Sequence, residues 1–293
     1  MIKALAWIKE VYTNWQEDRV ASLAAALAYY TLFSLAPILL ISITIVGALF
    51  GEEAARSQIV SQITILVGED VALEVQGIIK NLTLPTTFLN VQIVSILILL
   101  FSASGIFSEV QAGLNIIWGV KSNPHKKRFA FIKSRFLSFT MVLISALLLL
   151  ISLVITTLLA ALSSRLHYFI GINIFSELIM SYFFSFIIAT LVFALMFKHL
   201  PDVKLQWNNV WVGALSTSLL FILGKVLIGF YLHHAHVASI FGAAGSLIIL
   251  LIWVYYAAQI FFIGAEITKI YSTKNKIKIT PTRNASPIKS TEG

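Results

Sequence analysis

The chain has 293 residues, of which 58% are apolar and only 12% charged, about half the charged share of an ordinary globular protein. A soluble fold of this length lacks the polar surface to cover so much apolar side chain, which excludes a soluble enzyme and points to the bilayer as solvent. The lack of cysteine excludes disulfides, thiolate metal sites and a cysteine nucleophile, while the net charge of +8 has to be placed along the chain before it means anything.

Residues 1–20 read as a helix lying on the cytoplasmic membrane surface or, equally, as a solvated helix start. Ile8, Tyr12 and Trp15 recur at helical spacing, with Glu17, Asp18 and Arg19 beside them. The first apolar run, 21–50, is too long for a cleavable signal. Pro37 lies inside it, which withholds a donor from the Phe33 carbonyl and favours a kink; Thr31 and Ser34 could patch the freed groups.

Residues 51–90 are the one sizeable loop between apolar runs. Ile59, Ile63 and Val67 share one helical face, and Val71, Val75, Ile78 and Leu82 share another. Gly68-Glu69-Asp70 is the turn between them, with Asp70 or Glu69 as a cap. A short amphipathic helical hairpin on the outer face is expected, either a lid or a purely structural cap.

Five further apolar runs follow, at 91–118, 136–162, 175–197, 207–231 and 239–271, each at least the roughly 20 residues a membrane helix needs; 21–50 and 239–271 exceed it, so they are expected to tilt, kink or extend along the interface. The Lys and Arg residues decide the orientation. Seventeen fall on one side of this six-span arrangement, three (Arg56, Lys80 and Arg165) on the other, and Lys225 inside a span. Both termini are therefore expected in the cytoplasm. The same split accounts for most of the net charge without nucleic acid. The tail 272–293 is polybasic, lacks a periodic apolar face and is expected to be disordered.

Ionisable side chains inside spans are costly and mark candidate sites. Here they are Glu109, Lys225, Glu266 and Glu177. Span midpoints put Glu109 about 7–8 Å towards the cytoplasm and Lys225 about 9 Å towards the outside. That makes Glu177, at the outer start of the fourth span, the better partner for Lys225. Glu266 is nearer the depth of Glu109, and two such carboxyls could share a proton or a cation; each could equally lock helix packing. Tyr255 and Gln259 share a face with Glu266. Small residues at helical spacing, such as Gly105 and Gly113 beside Glu109, turn these faces inward, towards a packed core or a polar cavity.

Gly242-Ala-Ala-Gly245 opens the last run as a flexible turn or a close-packing start. His233 and His236 could face one metal, but no clear third ligand accompanies them, so no metal or other cofactor is expected. No P-loop, GxGxxG, HExxH, EF-hand or GxSxG pattern occurs. No enzymatic constellation is visible.

Two segments carry a family resemblance. Ala24-Ala-Ala-Leu-Ala-Tyr29-Tyr30-Thr-Leu-Phe-Ser34-Leu-Ala-Pro37 resembles the first-span signature of the YihY/BrkB family of bacterial inner-membrane proteins. Phe241-Gly242 to Ser246-Leu247, Trp253-Val-Tyr255-Tyr256 and Gln259 to Gly264-Ala265-Glu266 resemble its last-span signature. Order, spacing and span number match over nearly the whole chain, with the polybasic tail outside the family pattern. The resemblance implies Tyr29, Tyr30, Pro37, Gly242, Gly245, Tyr255, Gln259 and Glu266 as matching positions. It also implies an inner-membrane setting, a virulence-related label in some members and a suggested transport role. The ribonuclease BN label that travels with the family finds no support here, because no acidic metal cluster and no large cytoplasmic domain are present.

The expected fold is thus all-α, a polytopic six-span helical bundle with an outer hairpin. The expected function is a transporter or a lipid- or solute-translocating protein, with a structural or scaffold membrane protein as the alternative. The expected partners are the bilayer and a substrate the sequence does not identify. Oligomeric state leaves no mark in the sequence.

Overall fold

The computed structural model describes residues 2–67, 69–81, 105–122, 174–235, 245–275, 279–282 and 285–288. They are mostly helical. In chain order the helices are α1 (Ile2–Glu17), α2 (Val20–Phe50), α3 (Glu52–Val67), α4 (Glu69–Asn81), α5 (105–117), α6 (Ile174–His199), α7 (Trp207–Ala235) and α8 (Gly245–Lys274). Three stretches among them are long and apolar enough to cross a membrane: Val20–Ala48, Trp207–Tyr231 and Leu247–Lys274. The expected span 136–162 lies outside the described residues, as do the first part of 91–118 and residues 239–244.

Apolar side chains gather in two cores at opposite ends of the bundle. One joins Val20 and Ala24 of α2, Leu114 and Ile117 of α5, Phe197 of α6, Val210 and Ala214 of α7, and Phe261, Phe262 and Ala265 of α8. The other joins Leu39, Ile43 and Val46 of α2, Ile228 of α7, and Ile249 and Leu250 of α8 to α3 and α4. Hence α2 and α7 run one way between the cores and α8 runs the other. On its outward side α7 leaves Leu215, Leu219, Leu223, Val226 and Phe230 exposed, the apolar stripe a bilayer would solvate.

Arg19 links α1 to α2 in the left-handed region (φ 51°, ψ 43°), an unusual conformation for a side chain with a Cβ. This sharp turn folds α1 back along the bundle. Its expected apolar face does not dock as a unit. Ile8 and Tyr12 are exposed, while Trp15 is partly buried against the first core. What seats α1 is polar pairing with α8, described below.

At the opposite end, Gly51 (φ 88°) closes α2 by donating its N–H to the Gly47 carbonyl and starts α3 immediately. The two helices predicted after the first span are present. Ile59 of α3 and Val71, Val75 and Ile79 of α4 are buried, and Ile63 and Ile78 pack against the same core. Arg56 crosses the hairpin: it donates to the Ile79 carbonyl in the last turn of α4, a position with no intrahelical partner, while pairing with Glu52 at 2.7 Å. Glu69 and Asp70 are the first two residues of α4 rather than residues of the turn before it, where negative charge meets the positive end of the helix dipole.

The described pieces of the tail differ from the expected disorder. Residues 272–275 continue or close α8, and two later pieces are strands. Strand β1 (Val120–Ser122) follows α5, and β2 (Val203–Lys204) follows α6. From the tail, β3 (Thr280–Pro281) pairs antiparallel with β2, and β4 (Ala285–Pro287) with β1. Composition predicts disorder here because the tail has no apolar face of its own; it orders by borrowing the backbone edges of two distant loops and by packing Ile279 and Ala285 on the first core.

Candidate functional site

Helix α8 touches α1, α2, α4 and α7 and organises the bundle. Its seam with α7 is reciprocal. A Cβ on Gly213 would strike the Thr268 hydroxyl, and one on Gly264 would strike the Thr217 hydroxyl. Both helices carry Gly-Ala-x-x-Thr, at 213–217 and at 264–268, so each glycine receives the threonine of the other. The hydroxyls of Thr217, Ser218, Thr268 and Ser272 are buried, and all four donate to the carbonyl one turn earlier in their own helix. Around these two glycines the seam therefore presents small surfaces, and its four buried hydroxyls are satisfied within their own helices.

On another side of α8 lies a polar ladder to α1. Trp15 Nε1 donates to Gln259 Oε1 at 2.8 Å, and Gln259 Nε2 donates to the Tyr255 hydroxyl at 2.8 Å. Lys269 Nζ sits 2.6 Å from Asp18 Oδ2 and 3.6 Å from Glu266 Oε2. Lys274 pairs with Glu10. Glu266 has no exposed surface, and neither of its carboxyl oxygens accepts a hydrogen bond; Lys269 is its near cation. Replacing Trp15 with Phe keeps the ring and removes the donor. Melting followed in detergent should show α1 docking weakened by about 1 kcal/mol, with Trp15→Phe and Gln259→Ala non-additive.

Helix α5 sets the level of Glu109. Gly105 lies against Ser34 and Tyr30 of α2, at 3.5 and 3.7 Å from where a Cβ would stand, and Gly113 faces the Phe262 ring, at 2.6 Å on the same measure. Glu109, one turn before Gly113, is half-buried and level with Ala258 of α8. Glu266 then lies about 12 Å further along the axis. The structure joins Tyr255 to Gln259 and Glu266 to Asp18 and Lys269, but it does not set Glu266 at the depth of Glu109. Gly224 packs on Tyr256, where an added Cβ would lie 2.5 Å from the hydroxyl. Half-buried Lys225 is thereby within about 5 Å of the level of Glu109. Span midpoints put these two far apart in depth because they treat each apolar run as centred in the bilayer, whereas packing offsets the helices.

The other expected positions divide as follows. Tyr29 is exposed beside Phe33, with ring centroids 4.9 Å apart, and Tyr30 stands edge-on to Tyr29 at 5.9 Å. Pro37 lies within a helix that continues to Phe50. Thr31 donates to the Leu27 carbonyl, not to the Phe33 carbonyl it was expected to patch. Gly245 opens α8 and is buried. Gly242, His236 and the side chains of Glu177 and His233 lie outside the described residues, while His234 stacks on Phe230 at 4.1 Å. Among the described residues, no three His, Asp or Glu side chains converge as a metal site would require.

Sequence reasoning missed the pair at the foot of α5. Asn115 Nδ2 donates to Asp202 Oδ2 at 3.0 Å, and the Asp202 backbone N–H donates to Asn115 Oδ1 at 2.8 Å. An uncharged amide between Leu114 and Ile116 was the available signal.

Residues 11–289 match the family model described as Virulence factor BrkB. The matched stretch includes both tail strands, so the polybasic tail is inside the family pattern rather than beyond it. A UPF0761 membrane protein of Mannheimia succiniciproducens is 24% identical over 91% of this chain and 90% of its own length. Its counterpart in Vibrio vulnificus is 28% identical over 90% and 82%, and that in Pseudoalteromonas translucida 28% over 94% and 88%. No solved structure matches the chain.

Proposed function

The chain belongs to the Virulence factor BrkB family, and on that premise we propose that this integral membrane protein moves a lipid or a small solute across the bacterial inner membrane through a polar interior. The observation that carries this reading is Glu109: a half-buried carboxyl on α5, one turn from the glycine that meets Tyr30 and Ser34 of α2 and level with the Tyr255–Gln259 pair of α8. A charge kept at that depth costs insertion energy and so calls for a use.

The placement in the membrane follows from the charges. With six spans, the Lys- and Arg-rich segments and both termini lie in the cytoplasm, at the end of the bundle where α1 and the tail strands pack. The α3–α4 hairpin then covers the outer end as a lid. Trp207 and Trp211, exposed at the start of α7, and Tyr231 near its end suit the two headgroup levels.

Purified protein in proteoliposomes tests the reading. Flux of a fluorescent phospholipid, and of small cations and anions, should be abolished by Glu109→Gln while the variant still elutes as a folded species. Full flux in that variant removes Glu109 from the mechanism, and no flux of any probe with the native protein counts against transport altogether.

One observation favours the second reading, a membrane scaffold: the α7–α8 seam spends all four of its buried hydroxyls on its own backbone, as a closed and dry bundle would. Crosslinking through the hairpin and tail that recovers a stable partner would support it.

A further inference from the structure

The two tail strands pair with two segments that lie far from them in the chain, one after α5 and one after α6. Strand β3 pairs with the segment after α6, with Val203 opposite Pro281 and Lys204 opposite Thr280. Strand β4 pairs with the segment after α5, with Val120 opposite Pro287, Lys121 opposite Ser286 and Ser122 opposite Ala285. The Ile288 N–H donates to the Gly119 carbonyl at 2.8 Å, extending the second ladder to the end of α5.

Asp202 is where these ties meet. Its carbonyl accepts the Thr282 N–H at 2.8 Å, its carboxylate accepts from Asn115, and its own N–H donates to Asn115. One residue in the α6–α7 turn thus holds both the foot of α5 and the tail. The tail itself leaves from the end of α8. Ile279 and Ala285 press on the core shared by α2, α5, α6, α7 and α8.

We propose that β3 and β4 form a strap across one end of the bundle, holding the foot of α5 against the α6–α7 turn, and that this end opens only when the strap peels away. Strands of two and three residues are short enough to fray without unfolding the helices they bridge. Pro281 and Pro287 cannot donate to a ladder, which keeps each sheet at two strands and limits its hold. The occupant of this surface is the chain's own tail. The strap would act in the same way in a transporter and in a scaffold.

The absence of cysteine makes the test direct. Ile116→Cys on α5 and Gln206→Cys in the α6–α7 turn, both at exposed positions, carry spin labels in the full chain reconstituted in lipid nanodiscs. Double electron–electron resonance then reads their separation. A second pair, Ser57→Cys and Leu73→Cys, reports on the hairpin end. In the intact chain the first pair should give one narrow distribution. In a chain ending at Lys278, that distribution should broaden and shift to longer distance while the hairpin pair stays unchanged. Thr282→Pro, which removes the donor to Asp202 and leaves the rest of the chain in place, should shift it in the same direction and decides the matter if the shortened chain cannot be purified. An unchanged first pair in these variants overturns the strap. So does an equal shift at the hairpin pair, because a strap acts at one end only.

Discussion

Gly264→Val should abolish recovery of folded, monodisperse protein from membranes. Any side chain at this position begins with a Cβ that lands on the Thr217 hydroxyl, already committed to the Gly213 carbonyl, and 3.2 Å from the Phe197 ring. Thr217 cannot swing away without giving up a buried hydrogen bond, and Phe197 is fully buried in the first core. Overpacking of this kind costs about 3 kcal/mol or more, a large part of the roughly 5–15 kcal/mol that separates folded from unfolded domains. Size-exclusion chromatography after mild detergent extraction checks it. Gly77→Ala is the control: nothing lies within 4 Å of the position, and a helix gains about 0.5–1 kcal/mol from the exchange. A milder pair makes the mechanism specific. Gly264→Ala should destabilise, and adding Thr217→Gly should restore part of the loss by emptying the space the new methyl enters. Equal losses in the single and the double variant would show that the seam is not the cause.

Lys269→Met should release α1 from the bundle. The lysine stands between two carboxyls, Asp18 and a Glu266 with no exposed surface. Without the ammonium, a buried carboxyl faces a second one with no cation between them. Breaking a fully buried pair costs about 3–5 kcal/mol. About a quarter of Lys269 and a fifth of Asp18 remain in contact with solvent, so a loss of about 2–3 kcal/mol is expected once screening is counted. Protease cleavage at the α1–α2 junction, near Arg19, should accelerate, since an undocked α1 leaves that turn unsupported. Glu266→Gln in the same chain should recover much of the loss, because the buried acid left without its cation is gone. If Lys269→Met alone leaves cleavage and melting unchanged, the triad does not hold α1.

What could be read in advance divides along physical lines. Helices α2, α7 and α8 were legible because an apolar run of bilayer length is a local property, visible without any neighbour. Helices α3 and α4 were legible from two short apolar faces. Glu266 stood out as an acid in an apolar run, and Gln259 and Tyr255 as polar residues near the same face about two and three turns before it. The partners were not legible. Asp18 and Lys269 are 251 residues apart, and a contact across that distance leaves no periodic trace in either segment. The depth of Glu109 relative to Lys225 was misjudged for a related reason: offsets between helices are set by glycines such as Gly113 and Gly224, whose importance shows only once Phe262 and Tyr256 are known to press on them. The tail strands were hidden by composition, since Lys, Thr, Ser and Pro describe a chain with no core of its own and say nothing about edges offered elsewhere.

The ladder between α1 and α8 also fixes an order of events during synthesis. Trp15 waits for Gln259, 244 positions later, and Asp18 waits longer still. A ribosome delivers these partners only after α2 to α7 have been made, so α1 must idle while those helices are inserted. By contrast α7 and α8 follow each other closely and can mate as soon as both are inserted, with little loop entropy to overcome. Among the helices, chain neighbours that touch (α2 with α3, α3 with α4, α7 with α8) can mate as each pair is made, and α1 is seated on α8 only after them.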